Sequence, residues 1–457
     1  MALGGGSFTV QNKTLPGAYI NFISKSAATA SLSDRGIVTM PLELDWGPEG
    51  KIFEVTNADF QKNSLKIFGH AYTDDAMKGL RDLFANAQTL YAYRLNGGAA
   101  KATNDFATAL YGGTRGNDLK IVIQKNADNA ELFDVETYLT TPGNGAAVGD
   151  AAAGSARAAD VTNAQVDLQT VKTAAELVAN DFVTFKADAT LAVTAASPLE
   201  GGANATVSGS AYQAYLDKIE SFSFNTMGLV SADETTIALF NAFQKRLRDE
   251  MGIKFQLVTY RNEADYFGTI SVENKVTDEG WSEASLVYWV TGAEAACAVN
   301  RSCQNKRYDG EFTVDTEYTQ SQLVEGIKSG KFMLHQVNQD VRVLDDINTL
   351  VTTTDTVGDI FKDNQTVRVI DQIGNDVASL FATKYLGVVP NKASGRTSLW
   401  SDIVKLCQQL QDVGAIENFE DKQVTVDQGD TKKSVVVTTN IEVVNAMGKL
   451  YMTVIVA

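Results

Sequence analysis

The chain has 457 residues, of which 44% are hydrophobic and 21% are charged, a composition typical of a folded protein with several packed cores. Its 39 basic and 56 acidic residues give a formal net charge of −17, which disfavours nucleic acid as a partner because both would be negative. Three cysteines are too few for a disulfide framework, so we expect synthesis in a reducing cytoplasm.

Residues 1–24 are predicted to form an N-terminal arm. Their first part is rich in Gly, Ser and Asn and lacks the basic and apolar segments of a signal peptide. A short strand is predicted over 15–24, where Tyr19, Ile20 and Phe22 are apolar enough to pair and pack. No apolar run reaches the roughly 18–20 residues that a membrane helix needs, so membrane insertion is not expected.

An α/β body is predicted from two separated stretches, 25–100 and 211–348. The second stretch begins with a strand over 223–230, continues with an amphipathic helix and returns with a strand over 253–260. This β-α-β order predicts two neighbouring parallel strands. The fold class is therefore α/β (α+β) with several domains.

Further elements of this body follow from local signals. Ser231 and Glu234 have the S-x-x-E spacing of a capping box, which predicts a helix start at that point. An apolar helix is predicted over 285–299. Two strands are predicted over 332–338 and 340–347.

Residues 101–210 are predicted to be a mostly β domain inserted into the body. Residues 141–160 are rich in Ala and Gly, which is typical of a loop rather than a core. The strand-like pieces of this stretch are 119–124, 131–139, 181–187 and 190–196.

Residues 349–445 are predicted to be an α+β C-terminal domain. Helices are expected over 366–386 and 398–413, because apolar residues recur there at helical spacing. Strands are expected over 423–427 and 433–444, so helices come first and strands follow.

Residues 446–457 are predicted to form a C-terminal arm strand. Its alternating sequence places Leu450, Met452, Val454 and Val456 on one face. An apolar terminal strand at an open sheet edge is a liability, so it must lie in its own sheet or in that of a neighbour. Both alternatives remain open at this level, and the second would be β-augmentation between chains.

The histidines give little support for catalysis. The chain contains only His70 and His335, and no G-x-S-x-G elbow accompanies them. His335 lies in an apolar stretch and is interpreted as a packed strand residue. No catalytic residue is predicted.

Residues 326–332 resemble a phosphate-binding loop but do not match its pattern. Three residues instead of four separate Gly326 from Gly330, and Phe332 follows Lys331 where Ser or Thr is required. The motif also follows a helix-like stretch instead of a strand. No nucleotide or other cofactor site is predicted.

The remaining metal-ligating residue types do not cluster in sequence. Cys297 and Cys303 are six positions apart with no histidine nearby, so both are interpreted as core thiols. The Asp345-Asp346 pair is interpreted as part of a solvated turn or helix N-terminus. No metal site is predicted.

An ordered set of stretches resembles the sheath proteins of contractile phage tails. The stretch YGGTRGNDLKIVI at 111–123 resembles the entry into the outer domain of sheaths from phages of Gram-positive hosts. The other matching stretches are 16–22, 35–48, 346–352, 364–377, 385–396, 398–416 and 437–456.

The resemblance implies a structural, non-enzymatic protein without a cofactor. Such subunits form hexameric rings stacked helically around an inner tail tube, attach to baseplate and tail terminator proteins, and contract to drive the tube through a bacterial envelope. The particle would be a virion tail or a tail-like bacteriocin assembled in the bacterial cytoplasm, and the sequence leaves this choice open. Two other classes remain as alternatives, an enzyme on an α/β scaffold and a non-contractile surface or shell protein.

The resemblance also implies roles for particular residues. Extended arms of sheath proteins insert into sheets of adjacent subunits, while the C-terminal domain faces the tube. The expected tube-facing residues are Lys392, Arg396 and Lys405. The residues expected to take part in strand exchange between subunits are Tyr19, Ile20, Phe22, Leu450, Tyr451, Met452, Val454 and Val456.

Overall fold

The computed structural model describes residues 31–142 and 161–456. The predicted N-terminal arm, 1–24, lies outside these residues, as does most of the Ala/Gly-rich loop. The chain divides into two compact units. Within the described residues, the larger unit comprises 33–374 and 443–456, and the smaller one comprises 31–32 and 375–442.

Nineteen strands and eight α-helices are assigned in the described part of the chain. The helices are α1 Asn57–Phe68, α2 Lys78–Phe84, α3 Gly209–Ile219, α4 Glu234–Lys245, α5 Leu286–Ala296, α6 Gln320–Lys328, α7 Asn364–Leu380 and α8 Ala393–Asp412. The strands are β1 Ile37–Leu42, β2 Ile52–Thr56, β3 Thr89–Arg94, β4 Ala107–Ala109, β5 Leu119–Lys125, β6 Phe133–Pro142, β7 Val161–Val171, β8 Val183–Phe185, β9 Thr194–Pro198, β10 Thr226–Gly228, β11 Gln256–Tyr260, β12 Thr269–Val272, β13 Lys331–Phe332, β14 Leu334–Val337, β15 Asp340–Val343, β16 Ile416–Glu417, β17 Val424–Gln428, β18 Val435–Thr439 and β19 Glu442–Val443.

A seven-stranded sheet in the order β13-β12-β11-β10-β1-β3-β2 forms the centre of the larger unit. Its strands run parallel, except that β2 pairs antiparallel with β3 at one edge. Strands β10 and β11 are parallel neighbours on either side of α4, so the predicted β-α-β unit is confirmed. The sheet therefore joins strands from both stretches that flank the β-rich insertion.

Helices cover both faces of this sheet, as expected for parallel strands. Successive residues of β11 point to opposite faces, and Leu257 belongs to one core while Val258 belongs to the other. Trp289 of α5 packs in the core on one side, and Phe240 of α4 packs in the core on the other.

The stretch predicted to be mostly β contains a four-stranded antiparallel sheet in the order β7-β6-β5-β9 and a separate pair, β4-β8. Their apolar side chains share a core that also contains Trp46 from the chain before the insertion. Strand β7 was not predicted, although its sequence VTNAQVDLQTV alternates between apolar and polar residues over 164–169.

The start of α4 and the two strands near residue 339 test two predictions about the α/β body. The capping box at Ser231 is wrong, because the side chain of Asp233 accepts the Thr236 N–H at 2.7 Å and caps α4. The two strands predicted around residue 339 are confirmed as an antiparallel hairpin, β14-β15. In the described residues, no helix is both long enough and apolar enough to cross a membrane.

A buried carboxylate on α2 holds a distant loop. Asp82 is 1% exposed and accepts hydrogen bonds from the Tyr308 hydroxyl at 2.5 Å and from the Glu311 N–H at 2.6 Å. Burial raises the pKa of Asp82 to about 6, even though these two hydrogen bonds act in the opposite direction.

The raised pKa of Asp82 predicts a specific dependence of stability on pH. Because an unfolded Asp has a pKa of about 3.9, the stabilising contribution of protonated Asp82 is complete below about pH 4 and is lost as pH rises through 6. Between pH 4 and 7, the free energy of unfolding of the wild type should fall by about 2–3 kcal/mol relative to that of Asp82→Asn.

Urea unfolding at several pH values measures this difference. The exposed Asp181, substituted in the same way, is the control and should give a curve parallel to the wild type. Parallel curves for wild type and Asp82→Asn would contradict the raised pKa.

Candidate assembly surfaces

The C-terminal segment is a continuous exposed apolar surface. Residues 447–456 carry no strand assignment and belong to none of the sheets among the described residues. Leu450 is 85% exposed, Tyr451 is 89% exposed and Val456 is 89% exposed. The alternative that this segment closes a sheet of its own chain is therefore not seen in the described residues.

The other residues predicted for strand exchange divide into two groups. Met452 and Val454 are also exposed, at 75% and 70%. Tyr19, Ile20 and Phe22 lie outside the described residues. Exchange between subunits remains a prediction for all of them.

The smaller unit contains a two-stranded antiparallel hairpin, β17-β18. Trp400 of α8 packs against it and donates its indole N–H to the Val424 carbonyl at 2.9 Å. Val436 and Val437 are exposed, at 53% and 37%. A two-stranded sheet of this kind is marginal on its own and presents edges that can pair with further strands.

The three predicted tube-facing residues do not share one helix face. Lys392 is the exposed N-cap residue of α8, and Arg396 is half-buried with Nη1 3.1 Å from Asn391 Oδ1. Lys405 is exposed and lies nine residues after Arg396, which is about two and a half helical turns and places it on the opposite side of α8. Lys405 and Arg396 would thus contact a tube from opposite sides of α8.

Asp402 carries a local charge network on α8. Burial opposes its ionisation, but hydrogen bonds from Lys384 and Tyr385, both 2.5 Å long, hold the pKa of Asp402 below its usual value. Lys405 Nζ is 3.8 Å from the same carboxylate. This network ties α8 to the π-helical turn Phe381–Tyr385 that follows α7.

A buried ion cluster lies in the larger unit. Arg368 Nη2 is 2.5 Å from Glu294 Oε2 and 3.4 Å from Asp346 Oδ2, and the exposure of all three side chains is between 0% and 3%. Burial, followed by the negative charge of Asp346, raises the pKa of Glu294 well above its usual value. Asp346 also accepts the Cys303 N–H at 2.8 Å.

This cluster corrects the interpretation of the Asp345-Asp346 pair. Asp346 is 2% exposed and pairs with a guanidinium, so its expected position in a solvated turn is wrong. The local sequence could not show this, because Arg368 follows 22 positions later. Cys303 is buried as expected of a core thiol, whereas Cys297 is only partly buried.

Three groups of this cluster have the chemistry of metal ligands. Ligand atoms of Glu294, Cys303 and Asp346 lie within 4.8 Å of one another. The positive charge beside the two carboxyl groups, which a metal ion would otherwise provide, comes from the Arg368 guanidinium. We therefore interpret the cluster as a buried ion pair that joins separate segments.

The phosphate-loop-like motif and the two histidines occupy ordinary structural positions in the larger unit. The motif follows α6 and leads into β13, which is the reverse of the strand-to-helix order of a phosphate loop. Lys331 Nζ is 3.1 Å from Glu273 Oε2. His335 lies in β14 as expected, and His70 Nε2 is 2.9 Å from Asp45 Oδ1.

The lining of a cleft in the smaller unit contains neither a carboxylate nor an imidazole. Its lining is mainly apolar, with Tyr385, Arg396 and Lys433 as its ionisable residues. No His, Cys, Asp or Glu contributes to that lining. It thus offers no carboxylate or imidazole for general acid–base catalysis.

Four family models match consecutive parts of the chain. They describe the tail sheath protein Gp18 domain III N-terminal region at 35–95, the phage tail sheath protein beta-sandwich domain at 96–204, the phage tail sheath protein central domain at 205–349 and the phage tail sheath C-terminal domain at 356–457.

Individual proteins resemble the chain over almost its whole length. The phage-like element PBSX protein XkdK of Bacillus subtilis is 32% identical and is matched over 99% of both chains. The crystal structure of a sheath tail protein from Desulfitobacterium hafniense is 35% identical, with a TM-score of 0.78 over 95% of this chain and 99% of that one.

A more distant fold relative is the helical sheath of the anti-feeding prophage in its contracted state. It is 12% identical, with a TM-score of 0.56 over 97% of this chain and 99% of that one. The chain belongs to the phage tail sheath protein family. Its role is that of a structural tail sheath subunit.

The buried ion cluster predicts a large loss of stability when its cation is removed. Arg368→Met leaves two buried carboxyl groups without a counter-charge and should cost about 3–5 kcal/mol of unfolding free energy. Arg246→Met, which removes an exposed partner of Glu220, should cost no more than about 1 kcal/mol.

Urea unfolding of both variants gives the comparison. The double variant Asp346→Asn/Arg368→Met should recover part of the loss, because Asp346 is the carboxylate that Arg368 holds ionised and Asn is neutral. Equal, small effects of Arg368→Met and Arg246→Met would show that the cluster does not stabilise the larger unit.

Proposed function

We propose that this protein polymerises into hexameric rings that stack helically around an inner tail tube, and that the sheath contracts to drive the tube through a bacterial envelope. The observation that carries this proposal is the exposed apolar segment 447–456, which has no partner strand among the described residues. An apolar, alternating segment of this kind is stabilised when it enters a sheet of a second copy.

The β17-β18 hairpin is the surface that best fits such an incoming strand. Its two strands are short, and its exposed Val436 and Val437 match the apolar character of the segment. Main-chain hydrogen bonds would supply affinity, while alternating side chains would set the register. Head-to-tail contacts of this type form a ring where the rotation closes and a helical array where it does not.

Contraction then needs no bound nucleotide. Rigid bodies that are joined by exchanged strands can rotate while the strand hydrogen bonds persist. A contracted lattice that buries more apolar area gains about 25 cal/mol per Å², summed over every subunit. The extended state would be a kinetic trap that the baseplate holds until triggering. The fold shared with a sheath solved in its contracted state supports this proposal.

The same proposal defines the partners and the location. The partners would be further copies of this chain, the inner tube protein, the baseplate and the tail terminator, without nucleic acid. The location would be a virion tail or tail-like particle assembled in the bacterial cytoplasm. The family match favours this structural role over an enzyme on the same scaffold.

Removal of the exposed segment should abolish assembly without unfolding the body. The purified full chain should form tubes or rings without added cofactor, visible by negative-stain microscopy. A chain lacking residues 447–457 should remain monomeric with an unchanged urea midpoint, because the deleted side chains among 447–456 are exposed.

A matched control is Val178→Ser together with Val193→Ser, which reduces exposed apolar surface on the insertion at 69% and 64% exposed positions. This control should assemble like the wild type. Normal tubes from the truncated chain would refute exchange of the C-terminal strand.

The tube contact is tested through its three basic residues. Alanine at Lys392, Arg396 and Lys405 together should weaken co-assembly with the tube protein while leaving self-assembly intact, and added salt should weaken the wild-type contact. Lys172→Ala, at an exposed position of the larger unit, is the control. Unchanged co-sedimentation of the triple variant with the tube would reject these residues as tube-facing.

A further inference from the structure

The start of the exposed segment is held by a side chain of α7. Gln365 is 3% exposed, and its Nε2 donates to the Val444 carbonyl at 2.9 Å. Its Oε1 accepts the Ala446 N–H at 3.0 Å. The two hydrogen bonds flank Asn445 on both sides, so one side-chain amide takes the place of the backbone of a neighbouring strand.

Asn445 adds two more bonds to the same helix start. Its Oδ1 accepts from the Thr366 hydroxyl at 3.2 Å, and its Nδ2 donates to Asp363 Oδ2 at 3.0 Å. Four hydrogen bonds thus join residues 363–366 to residues 444–446. All of these residues belong to the larger unit.

Ala446 is the last described residue of the chain that hydrogen-bonds to the body. Met447 is fully exposed, and every residue from there to Val456 is exposed. Burial raises the pKa of Asp345 and of Asp363, and the positive charge of Lys449 acts in the opposite direction on both. The hydrogen bonds of this attachment therefore end at Ala446, while Gly448 still lies beside the Gln304 side chain.

We propose that residues 363–366 anchor the root of the C-terminal arm, and that Gln365 is the positioning residue that fixes where the arm leaves the body. This inference rests on the proposed strand exchange between subunits. An arm that inserts in a defined register must start from a defined point, because slack in a tether lowers the effective concentration of its tip at the acceptor.

The amount of slack can be calculated from chain geometry. Releasing residues 444–446 adds three residues to the free segment, and each extends by about 3.3–3.6 Å. The tip would gain about 10 Å of reach, which is roughly twice the spacing of adjacent strands. Release of the anchor should therefore loosen the lattice even though every exchanged side chain is still present.

The experiment compares three full-length variants with the wild type. Gln365→Ala removes both bonds of the clamp, and Gln365→Glu keeps an acceptor for Ala446 but loses the donor to Val444. Asn445→Ala removes the other two hydrogen bonds. Because the Asn445 side chain is exposed, this variant tests the anchor even if Gln365→Ala disturbs the core. Gln322→Ala, in the first turn of α6, is the matched glutamine control.

Two measurements are made on each protein. Hydrogen exchange before assembly should rise about five- to tenfold at Ala446 in Gln365→Ala and less in Gln365→Glu, the size expected for losing one or two hydrogen bonds. The protein concentration needed for tube formation should rise by a similar factor, and the helical order seen by electron microscopy should fall. Gln322→Ala should change neither quantity.

The outcomes separate this inference from the proposed function. Unchanged exchange at Ala446 in both Gln365→Ala and Asn445→Ala would overturn the anchor. Faster exchange with unchanged assembly and order would overturn the positioning role and leave strand exchange intact. Assembly of the chain without residues 447–457 would instead overturn the strand exchange on which the inference rests.

Discussion

Packing of the larger unit depends on the buried guanidinium of Arg368. Its guanidinium pairs with Glu294 of α5 and with Asp346, and it also donates to the Arg301 carbonyl at 2.8 Å. Three segments that are far apart in sequence therefore meet at one side chain of α7. Breaking such a buried pair is costly because the remaining charges have no water to solvate them.

The same helix start links this core to the C-terminal arm. Asn364 donates to Asp346 at 2.9 Å and accepts from Gln256 of β11 at 3.0 Å. The next residue, Gln365, hydrogen-bonds to Val444 and Ala446 at the root of the arm. Packing of the body and the position of the arm are thus set by consecutive residues, so a change that shifts α7 in the core would also move the root of the arm.

The sequence predicted the main architecture because periodicity and breaks are local signals. The parallel β-α-β unit and the hairpin β14-β15 follow directly from such patterns. Helix α1 was missed, because its sequence NADFQKNSLKIF is largely polar and its burial depends on Phe60 and Phe68.

The burial of Asp346 and the clamp at Gln365 could not be predicted in this way. Each depends on a partner that is distant in sequence, and neither residue type carries a local signal for such a contact. The apolar alternation of 449–456 is a local signal in the sequence, whereas its pairing with another subunit remains a prediction.

A root held by α7 and a tip held in a neighbour would confine motion to the residues between them. Met447 and Gly448 follow the last clamped residue, and neither is part of a described helix or strand. Glycine adopts more backbone conformations than any other residue, so Gly448 can change direction at little cost. If the proposed contraction rotates the subunits, the hydrogen bonds at both ends of the arm would persist while this short segment bends. The arm would then act as a tether of fixed length, which keeps neighbouring subunits connected through a large change in lattice.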